Sequence, residues 1–223
     1  MIISIHQPAY LPWLGYLEKI KRSDIFVFLD TVAYDKNSFD NRNRILIDEK
    51  EHWLTIPMAT AGKFGQTYQQ ISPATDEWMK SHPKTIQYAY HKAPNFFEYF
   101  PKIQSAYDIC GLIHGFSFQT WATPEPSLAD YCWKQLEVWR EIFGLTNTIV
   151  KASQLGVTEK GSDLVLEICK KLEATEYYSG VMGKEYLDEA KFTEAGIRVV
   201  YQDYQPPHKL SLIHQLMMEG AIL

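Results

Sequence analysis

The chain opens with Met1-Ile-Ile-Ser-Ile-His-Gln-Pro-Ala-Tyr-Leu-Pro-Trp-Leu-Gly-Tyr-Leu-Glu-Lys-Ile20, in which an apolar run passes through a proline-punctuated turn into a helical pattern. An apolar strand followed at once by a helix predicts the first βα unit of a parallel sheet. Ligands of such sheets bind beyond the carboxyl ends of the strands. We therefore expect His6 and Gln7, which follow the apolar run, to lie at a binding edge.

Four further runs continue this pattern along the chain. Residues 24–30 form a near-continuous apolar run with an aspartate at each end, which is typical of a strand covered on both faces. Residues 148–153, 175–179 and 197–201 are predicted strands with helical patterns between them. Strands joined by crossover helices predict an α/β fold, here a mostly parallel, Rossmann-like sheet with helices on both faces.

Length and composition favour a single α/β domain over residues 1–223. With 223 residues, of which 46% are hydrophobic, the chain can bury a sizeable core. Residues 59–125 are predicted to form a helical and loop insertion within it that is rich in aromatic side chains. Pro94 and Pro101 are expected to break this insertion into several short helices.

Two local signals outside the parallel sheet are clear. Residues 44–47 and 53–57 alternate like a short antiparallel pair with a turn between them. Ser127 and Asp130 have the spacing of a capping box and predict the start of a helix that runs to about residue 142.

The charge and hydropathy of the sequence limit the classes of partner that we expect. The net charge is −5 and the pI is about 5.8, so the overall charge does not favour nucleic acid as a partner. No apolar run approaches the roughly 20 residues of a membrane span, and a strand pattern follows Met1 directly, without a basic leader. We therefore expect a cytoplasmic protein without a membrane partner, whereas the oligomeric state is not indicated.

Familiar motifs of metal and nucleotide sites are missing from the sequence. The seven histidines fall in no HxH, HxxxH or HExxH spacing, and the cysteines Cys110, Cys132 and Cys169 are far apart. We therefore predict no metal site. The sequence also has no GxGxxG after a strand, no GxxxxGK[ST] and no GxSxG, so the usual signatures of dinucleotide, P-loop and serine-hydrolase sites are lacking.

What remains is a set of polar and aromatic residues near predicted strand ends. Arginine binds phosphate or carboxylate bidentately, asparagine both donates and accepts, and the backbone before a helix adds amide donors. This set favours a small phosphorylated or carboxylated substrate. The candidate catalytic residues are His6, Asp30 and Lys63, and the candidate substrate-binding residues are Gln7, Tyr10, Trp13, Tyr34, Lys36, Asn41, Arg42, Asn43, Arg44, Ser179 and Gly180.

Each of these residues also has a structural interpretation. His6 fits a buried histidine that fixes the turn, and Asp30 fits a cap or a loop anchor. Arg42 and Arg44 fit paired or solvated positions on a hairpin edge. Aromatic residues such as Tyr10 more often pack than stack on a ligand.

The motifs themselves resemble those of the WbqC-like protein family. The similar segments are residues 6–16, 23–30, 41–45, 53–57, 92–94, 152–153, 178–180, 186–187, 210–213 and 219–220, which together span essentially the whole chain. The family is often encoded with enzymes of bacterial O-antigen and other surface polysaccharides, which implies a step on a nucleotide-linked sugar or a related small metabolite. One departure is His214, where the family commonly has an acidic residue.

This resemblance leads to our first hypothesis, an acyl or aminoacyl transferase or amide-forming ligase acting on an amino group of a nucleotide-linked sugar. His6 would be the general base, because a neutral imidazole can accept the proton of the attacking amine. Asp30 would orient His6 or the amine, and Lys63 would close a glycine-hinged loop over the ligand. Gln7 and the asparagines would orient polar groups, and the arginines would bind phosphate or carboxylate.

A second resemblance is to the HIGH-type nucleotidyltransferases, in which a Gly-His pair opens the first helix. Here Gly15 and Tyr16 occupy that place, and tyrosine cannot supply the second imidazole that steadies ATP phosphates. The alternatives left open are therefore ATP-dependent nucleotidyl transfer or ligation, with ATP as cofactor, and a non-catalytic protein that binds carbohydrate or a partner.

Overall fold

The computed structural model describes residues 1–36, 38–62, 64–119 and 125–223. The strands are β1 (Ile2–His6), β2 (Ile25–Phe28), β3 (Arg42–Ile47), β4 (Lys50–Thr55), β5 (Thr148–Lys151), β6 (Glu176–Ser179) and β7 (Arg198–Tyr201). The α-helices are α1 (Leu14–Arg22), α2 (Trp78–Tyr90), α3 (Phe96–Gln119), α4 (Leu128–Ile142), α5 (Gly161–Lys171), α6 (Glu189–Glu194) and α7 (Leu212–Glu219). Short 3-10 helices follow β5 and β6, at Ala152–Gln154 and Val181–Glu185.

The main sheet has five parallel strands in the order β5-β2-β1-β6-β7. Counted along the chain, this is the 3-2-1-4-5 order of a doubly wound, Rossmann-like sheet. The chain builds outward from β1 to one edge and then returns to build towards the other, which is the arrangement that carries helices on both faces. The predicted α/β fold with a parallel sheet is confirmed.

The central strands form the core of this sheet. Ile3 and Ile5 on β1 are 0% and 4% exposed, and all four residues of β6 are buried. Strands buried on both faces have continuous apolar runs, because side chains of both pleat directions are covered. The amphipathic helix α5 contributes the buried residues Leu164, Ile168 and Cys169.

The chain divides into two compact units. The first unit comprises residues 1–7, 15–31 and 145–207 and contains the parallel sheet. The second comprises residues 8–14, 32–144 and 208–223. The single domain with an insertion at residues 59–125 stays a prediction.

The β3–β4 pair of the second unit is the predicted antiparallel hairpin. Its register runs from Arg42–Thr55 to Ile47–Lys50. The two residues of the turn, Asp48 and Glu49, have φ values of 48° and 61°, as a type I′ turn requires. The strand begins two residues earlier than predicted, at Arg42.

The helical region of the second unit differs from the prediction in one respect. Pro94 lies between α2 and α3, as expected, but Pro101 lies inside α3, which is 24 residues long. The prediction of several short helices was therefore wrong. The buried side chains Phe96, Tyr99 and Ile103 hold this part of α3 in place, and such packing offsets the one hydrogen bond that a proline removes near a helix start.

The capping box at the start of α4 is confirmed. The Ser127 hydroxyl accepts from the Asp130 backbone N–H, and the Asp130 carboxylate accepts from the Ser127 backbone N–H at 3.0 Å. These contacts satisfy donors that the first turn of a helix otherwise leaves unpaired.

Among the helices of the described residues, none is both long enough and apolar enough to cross a membrane.

Candidate functional site

The carboxyl ends of the parallel strands share one edge of the sheet in the first unit, which we call the rim. The last residues of β1, β2 and β5 are neighbours, because His6 pairs with Phe28 and Phe28 pairs with Lys151. His6 ends β1, Ser179 ends β6 and Asp30 follows β2. These three residues therefore lie at the same edge of the sheet. Their placement agrees with the sequence, and their roles in binding stay predictions.

The strand order reverses between β1 and β6. The pairing of β1 with β6 runs only from Ile2–Glu176 to Ile3–Tyr177, and the Ser4 hydroxyl then donates to the Tyr178 carbonyl at 2.9 Å. The chain leaves β1 in the direction of β2 and leaves β6 in the direction of β7, so the two connections diverge at the rim. Doubly wound sheets bind their ligands at such a switch point.

His6 is held in one orientation at the end of β1. Its Nδ1 is 3.1 Å from the Gln7 carbonyl oxygen, and its ring meets the Tyr16 ring edge-on at a centroid distance of 4.9 Å. A carbonyl only accepts, so Nδ1 carries the proton and Nε2 is the unprotonated nitrogen. Burial and the nearby Lys19 ammonium lower the pKa of His6 to about 3, which keeps the imidazole neutral at physiological pH.

Lys19 is a functional candidate that sequence reasoning missed. Lys19 lies on α1 and is 3% exposed, and its Nζ donates to the Ile5 carbonyl at 2.8 Å. Burial lowers the pKa of this amine to about 7, and the neighbouring Glu18 carboxylate opposes the shift. A buried amine that is easily deprotonated thus lies against the end of β1.

Glu18 links α1 to the far side of the switch point. The Tyr178 hydroxyl donates to its carboxylate oxygens at 3.0 and 3.1 Å. The Gln202 side-chain amide, just after β7, donates to Glu18 at 2.6 Å and to the Gly15 carbonyl at 2.8 Å. These contacts fix α1 against β6 and β7, and no sequence motif indicated them.

Asp30 joins the ends of β2 and β5. It is 1% exposed, and its carboxylate accepts from the backbone N–H and the hydroxyl of Ser153 at 2.9 and 2.7 Å. This geometry is that of a loop anchor, one of the two interpretations of Asp30 that the sequence allows. Ser153 belongs to a segment that resembles the family, but only its distance to Asp30 gives it a role.

Ser179 and Gly180 form a tight turn after β6. The Ser179 hydroxyl donates to the Gly180 carbonyl at 3.0 Å and is covered by Gly183 in the following 3-10 helix. A Cβ added to Gly183 would lie 2.1 Å from Ser179 Oγ and 3.0 Å from a Leu187 methyl. A larger residue at position 183 would therefore force Ser179 or the turn to shift.

The predicted Asn41 to Arg44 segment belongs to the second unit, so its pairing with the rim stays a prediction. Asn43 is fully buried, and its amide donates to the Leu11 carbonyl at 2.6 Å and accepts from the Arg44 N–H at 2.8 Å. Arg44 binds the Glu51 carboxylate at 2.7 Å and the Lys209 carbonyl at 3.1 Å. These contacts give Asn43 and Arg44 structural partners within the hairpin region.

Arg42 differs from Arg44 in its surroundings. Its guanidinium lies over the Trp53 ring, 4.6 Å from the centroid. Arg42 also lines a small cavity with three other predicted binding residues, Tyr34, Lys36 and Asn41. The structure thus brings four of the candidates together within the second unit.

The aromatic candidates of the opening turn have neighbours in the second unit. The Tyr10 hydroxyl is 2.6 Å from His82 Nδ1 and 2.7 Å from the Tyr107 hydroxyl, and all three residues are buried. Trp13 packs on Phe39, with ring centroids 5.7 Å apart. The Tyr10 contacts match the packing interpretation that the sequence allows.

Two further predictions concern Lys63 and metal binding. Lys63 lies outside the described residues. Within the described part of the chain, no group of three or more histidine, cysteine or acidic side chains is placed to hold a metal ion. His214, the departure from the family pattern, has its Nδ1 3.1 Å from the Tyr90 hydroxyl, and burial lowers its pKa.

The fold and the rim define a Rossmann-like α/β protein with polar groups at its switch point. The model of the WbqC-like protein family matches residues 7–218, and the chain belongs to this family. The chain is also similar to an uncharacterised Mycobacterium tuberculosis protein, Rv1507c, at 26% identity over 208 residues, or 91% of this chain and 82% of that protein. No solved structure matches the chain.

Proposed function

We propose that this protein is a cytoplasmic enzyme of bacterial surface-polysaccharide or related small-metabolite biosynthesis. Its reaction would be an acyl or aminoacyl transfer, or an amide formation, on an amino group of a nucleotide-linked sugar. The observation that carries the proposal is the switch point, where β1, which ends at His6, and its neighbour β6, which ends at Ser179, lead to connections that diverge at the rim. Nucleotides bind doubly wound sheets at this position. The polysaccharide context comes from the resemblance of the motifs.

The tautomer of His6 supports a role in amine attack, although its pKa of about 3 makes it a weak base until a ligand raises that pKa. As the amine nitrogen forms a bond to the acyl carbon, the bond to the leaving group breaks and the amine proton passes to a base. His6 Nε2 is unprotonated, because Nδ1 faces the Gln7 carbonyl and the ring is neutral. An anionic ligand at the rim would offset the effect of Lys19 and raise the pKa of His6, so that the bound substrate strengthens its own base.

The remaining rim residues position this base. Asp30 holds the Ser153 turn at 2.7 Å, and Glu18 ties α1 to Tyr178 and Gln202, so the groups around the crevice are fixed before a ligand arrives. Catalytic groups on rigid elements lose little entropy when the substrate binds. Gln7 supplies an amide that orients polar groups of the substrate.

The test combines binding with turnover. We expect nucleotide-linked amino sugars to stabilise the protein in a thermal-shift series, by about 2.7 kcal/mol at 100 times the dissociation constant. Mass spectrometry then detects the mass gain of the amino sugar with an acyl-CoA, or with an amino acid and ATP. We expect His6→Ala to lower turnover by about 10²- to 10⁴-fold with little change in binding.

The matched control is His91→Ala, which removes an exposed histidine at the end of α2. If His6→Ala retains full turnover, His6 is not the base. Stabilisation by free sugars but not by nucleotide-linked sugars would instead favour a non-catalytic carbohydrate-binding protein.

Nucleotidyl transfer with ATP is the second candidate, because the strand order is also that of mononucleotide-binding sheets. Against it, the Tyr16 side chain is 1% exposed and packs on His6 and Phe26. Equilibrium dialysis with ATP and Mg²⁺ separates the two candidates. Saturable binding of ATP that is lost in Arg42→Ala favours nucleotidyl transfer, and no binding at millimolar ATP excludes it.

A further inference from the structure

The second unit contains a cavity of about 170 Å³ beside the β3–β4 hairpin. Its walls include Tyr34, Lys36, Asn41 and Arg42. Pockets that take whole drug-sized ligands have about 300–1,000 Å³, so this cavity has room for a head group of a few heavy atoms. Two cations and two polar groups that do not carry a charge therefore surround a small space.

Asn41 has a buried acceptor that the protein does not use. The residue is 6% exposed, and its Nδ2 donates to the Ile56 carbonyl at 2.7 Å. The Ile56 carbonyl only accepts, so the amide cannot be turned around, and Oδ1 is the atom left without a partner among the described residues. A buried unpaired acceptor is costly, and a ligand that donates a hydrogen bond to it relieves that cost.

The cations of the cavity are arranged for an anion. Arg42 is held over the Trp53 ring at 4.6 Å, which fixes the plane of its guanidinium. Lys36 is exposed and can move towards a ligand. Burial raises the pKa of Tyr34 to about 12, so its phenol stays protonated and can donate a hydrogen bond.

Two carboxylates lie near these groups and do not line the cavity. Asp40 and Asp35 both raise the pKa of Tyr34, whereas Arg42 lowers it. The Asp40 carboxylate accepts hydrogen bonds from the Ser38 and Tyr68 hydroxyls, both at Oδ2. Among the described residues, Arg42 and Lys36 are the charged groups that line the cavity.

We infer that this cavity binds the carboxylate or phosphate head group of a small hydroxylated metabolite. Arg42 and Lys36 bind the anion, Tyr34 donates to it, and Asn41 Oδ1 accepts from a neighbouring hydroxyl of the ligand. The hydroxyl is favoured over an ammonium group because the two cations of the cavity repel a third positive charge. The inference goes beyond the proposed reaction and holds even if that reaction is wrong.

The ligand requirement can be tested without mutating Asn41. Glycolate, acetate and glycine each carry a carboxylate. The neighbouring carbon bears a hydroxyl group in glycolate, only hydrogen in acetate and an ammonium group in glycine. Glycerol 3-phosphate and ethyl phosphate form the corresponding phosphate pair. We expect the hydroxylated member of each series to bind about five- to tenfold more tightly, as one hydrogen bond to a buried acceptor implies. Chemical shifts of the Asn41 side-chain amide in NMR titrations report occupancy directly.

Two variants test the anion contacts. Arg42→Gln is expected to weaken binding of glycolate and acetate alike, by about tenfold, because it removes the charge and leaves Asn41 in place. Lys36→Gln is expected to weaken both by a smaller factor, and Lys50→Gln, at the exposed hairpin end, is its matched control with no effect. The dispersion of the amide spectrum shows that each variant is folded.

Several results would overturn the inference. The first is that none of the five ligands binds saturably at 50 mM. The second is that the hydroxyl makes no difference in either series, so that acetate or glycine binds as tightly as glycolate and ethyl phosphate binds as tightly as glycerol 3-phosphate. The third is that Arg42→Gln leaves the affinity unchanged. The titrations use neither a nucleotide sugar nor turnover, so their failure is distinct from failure of the proposed reaction.

Discussion

Replacing the buried lysine at the base of the rim, Lys19→Met, is expected to stabilise the protein at neutral pH. Lys19 has a pKa of about 7 in the folded protein, against 10.5 for an ordinary lysine. At pH 7 this difference corresponds to about 4 kcal/mol of folding free energy spent on holding the amine in a buried position. Methionine has a similar length and carries no charge to bury.

One contact opposes this gain. Lys19 Nζ donates to the Ile5 carbonyl at 2.8 Å, and losing a partner of a buried carbonyl costs about 1–3 kcal/mol. The net stabilisation at pH 7 is therefore expected to be about 1–3 kcal/mol, measured as the free energy of unfolding in urea. Lys21→Met, at an exposed position on the same helix, is the control and should change stability by about 0.5 kcal/mol or less.

The pH dependence gives a second readout of Lys19. Between pH 7 and 10.5 the unfolded chain binds more protons at Lys19 than the folded protein, so stability rises with pH in this window. The wild-type protein should gain about 3 kcal/mol between pH 7 and 9.5, whereas Lys19→Met should lack this rise. In the variant, the pKa of His6, followed by NMR, should move up from about 3 but stay below 6.5, because burial is its larger cause.

The reasoning is refuted if Lys19→Met is less stable than the wild type at pH 7, or if the variant keeps the rise in stability up to pH 9.5. Either result would mean that the amine is hydrated in the folded protein. A stabilised variant with lower turnover would instead indicate that the buried charge is retained for its effect on the rim.

Three further changes test the packing within each of the two units. Gly183→Ala should destabilise the protein by about 1–3 kcal/mol in thermal or urea unfolding, because the added methyl would overlap Ser179 Oγ. Gly180→Ala is the control and should leave the stability nearly unchanged, because its Cβ has open space. Tyr10→Phe should cost about 1–3 kcal/mol, because it removes the buried hydroxyl that lies 2.6 Å from His82, and a neutral result would contradict the buried hydrogen bond. Burial lowers the pKa of His82 to about 4, so the unfolded chain binds more protons at this residue between pH 6.5 and 4, and about 2 kcal/mol of stability should be lost between pH 7 and 5. His82→Gln should lose correspondingly less over the same range, and an equal loss in both proteins would exclude His82 as the cause.

Local structure could be predicted from the sequence to a large extent. The five strands of the sheet, the β3–β4 hairpin and the capping box at Ser127 all follow from patterns within a few residues. Such patterns are informative because strand and helix periods are set by backbone geometry and by which face is covered. The parallel arrangement then places His6 and Asp30 at one edge without further information.

The chemical state of the rim could not be predicted in this way. Lys19 is one of three cations near the end of α1, and only its packing against β1 shows that its amine is buried. Asp30 and Ser153 are 123 residues apart in the chain, so their contact exists only because β2 and β5 are neighbours.

The Asn41 to Arg44 segment shows the same limit. Its residues are adjacent in the sequence and look like one binding set. On a strand, however, successive side chains point to opposite faces, so Asn43 is buried while Arg42 and Arg44 lie on the other face over Trp53. Arg44 forms an ion pair with Glu51, whereas Arg42 lines the small cavity. These surroundings distinguish two arginines that look alike in the sequence.

The sequence by itself determined the α/β class, the strands and the position of His6 and Gln7 after the first strand, because these depend on short-range periodicity. Only the tertiary structure decided the 3-2-1-4-5 strand order, the lowered pKa values of His6 and Lys19, and the unpaired oxygen of Asn41. The physical reason is that burial and hydrogen bonding depend on groups that are distant in the chain, and the free energy of a charge or an unpaired oxygen is set by those neighbours rather than by its own segment.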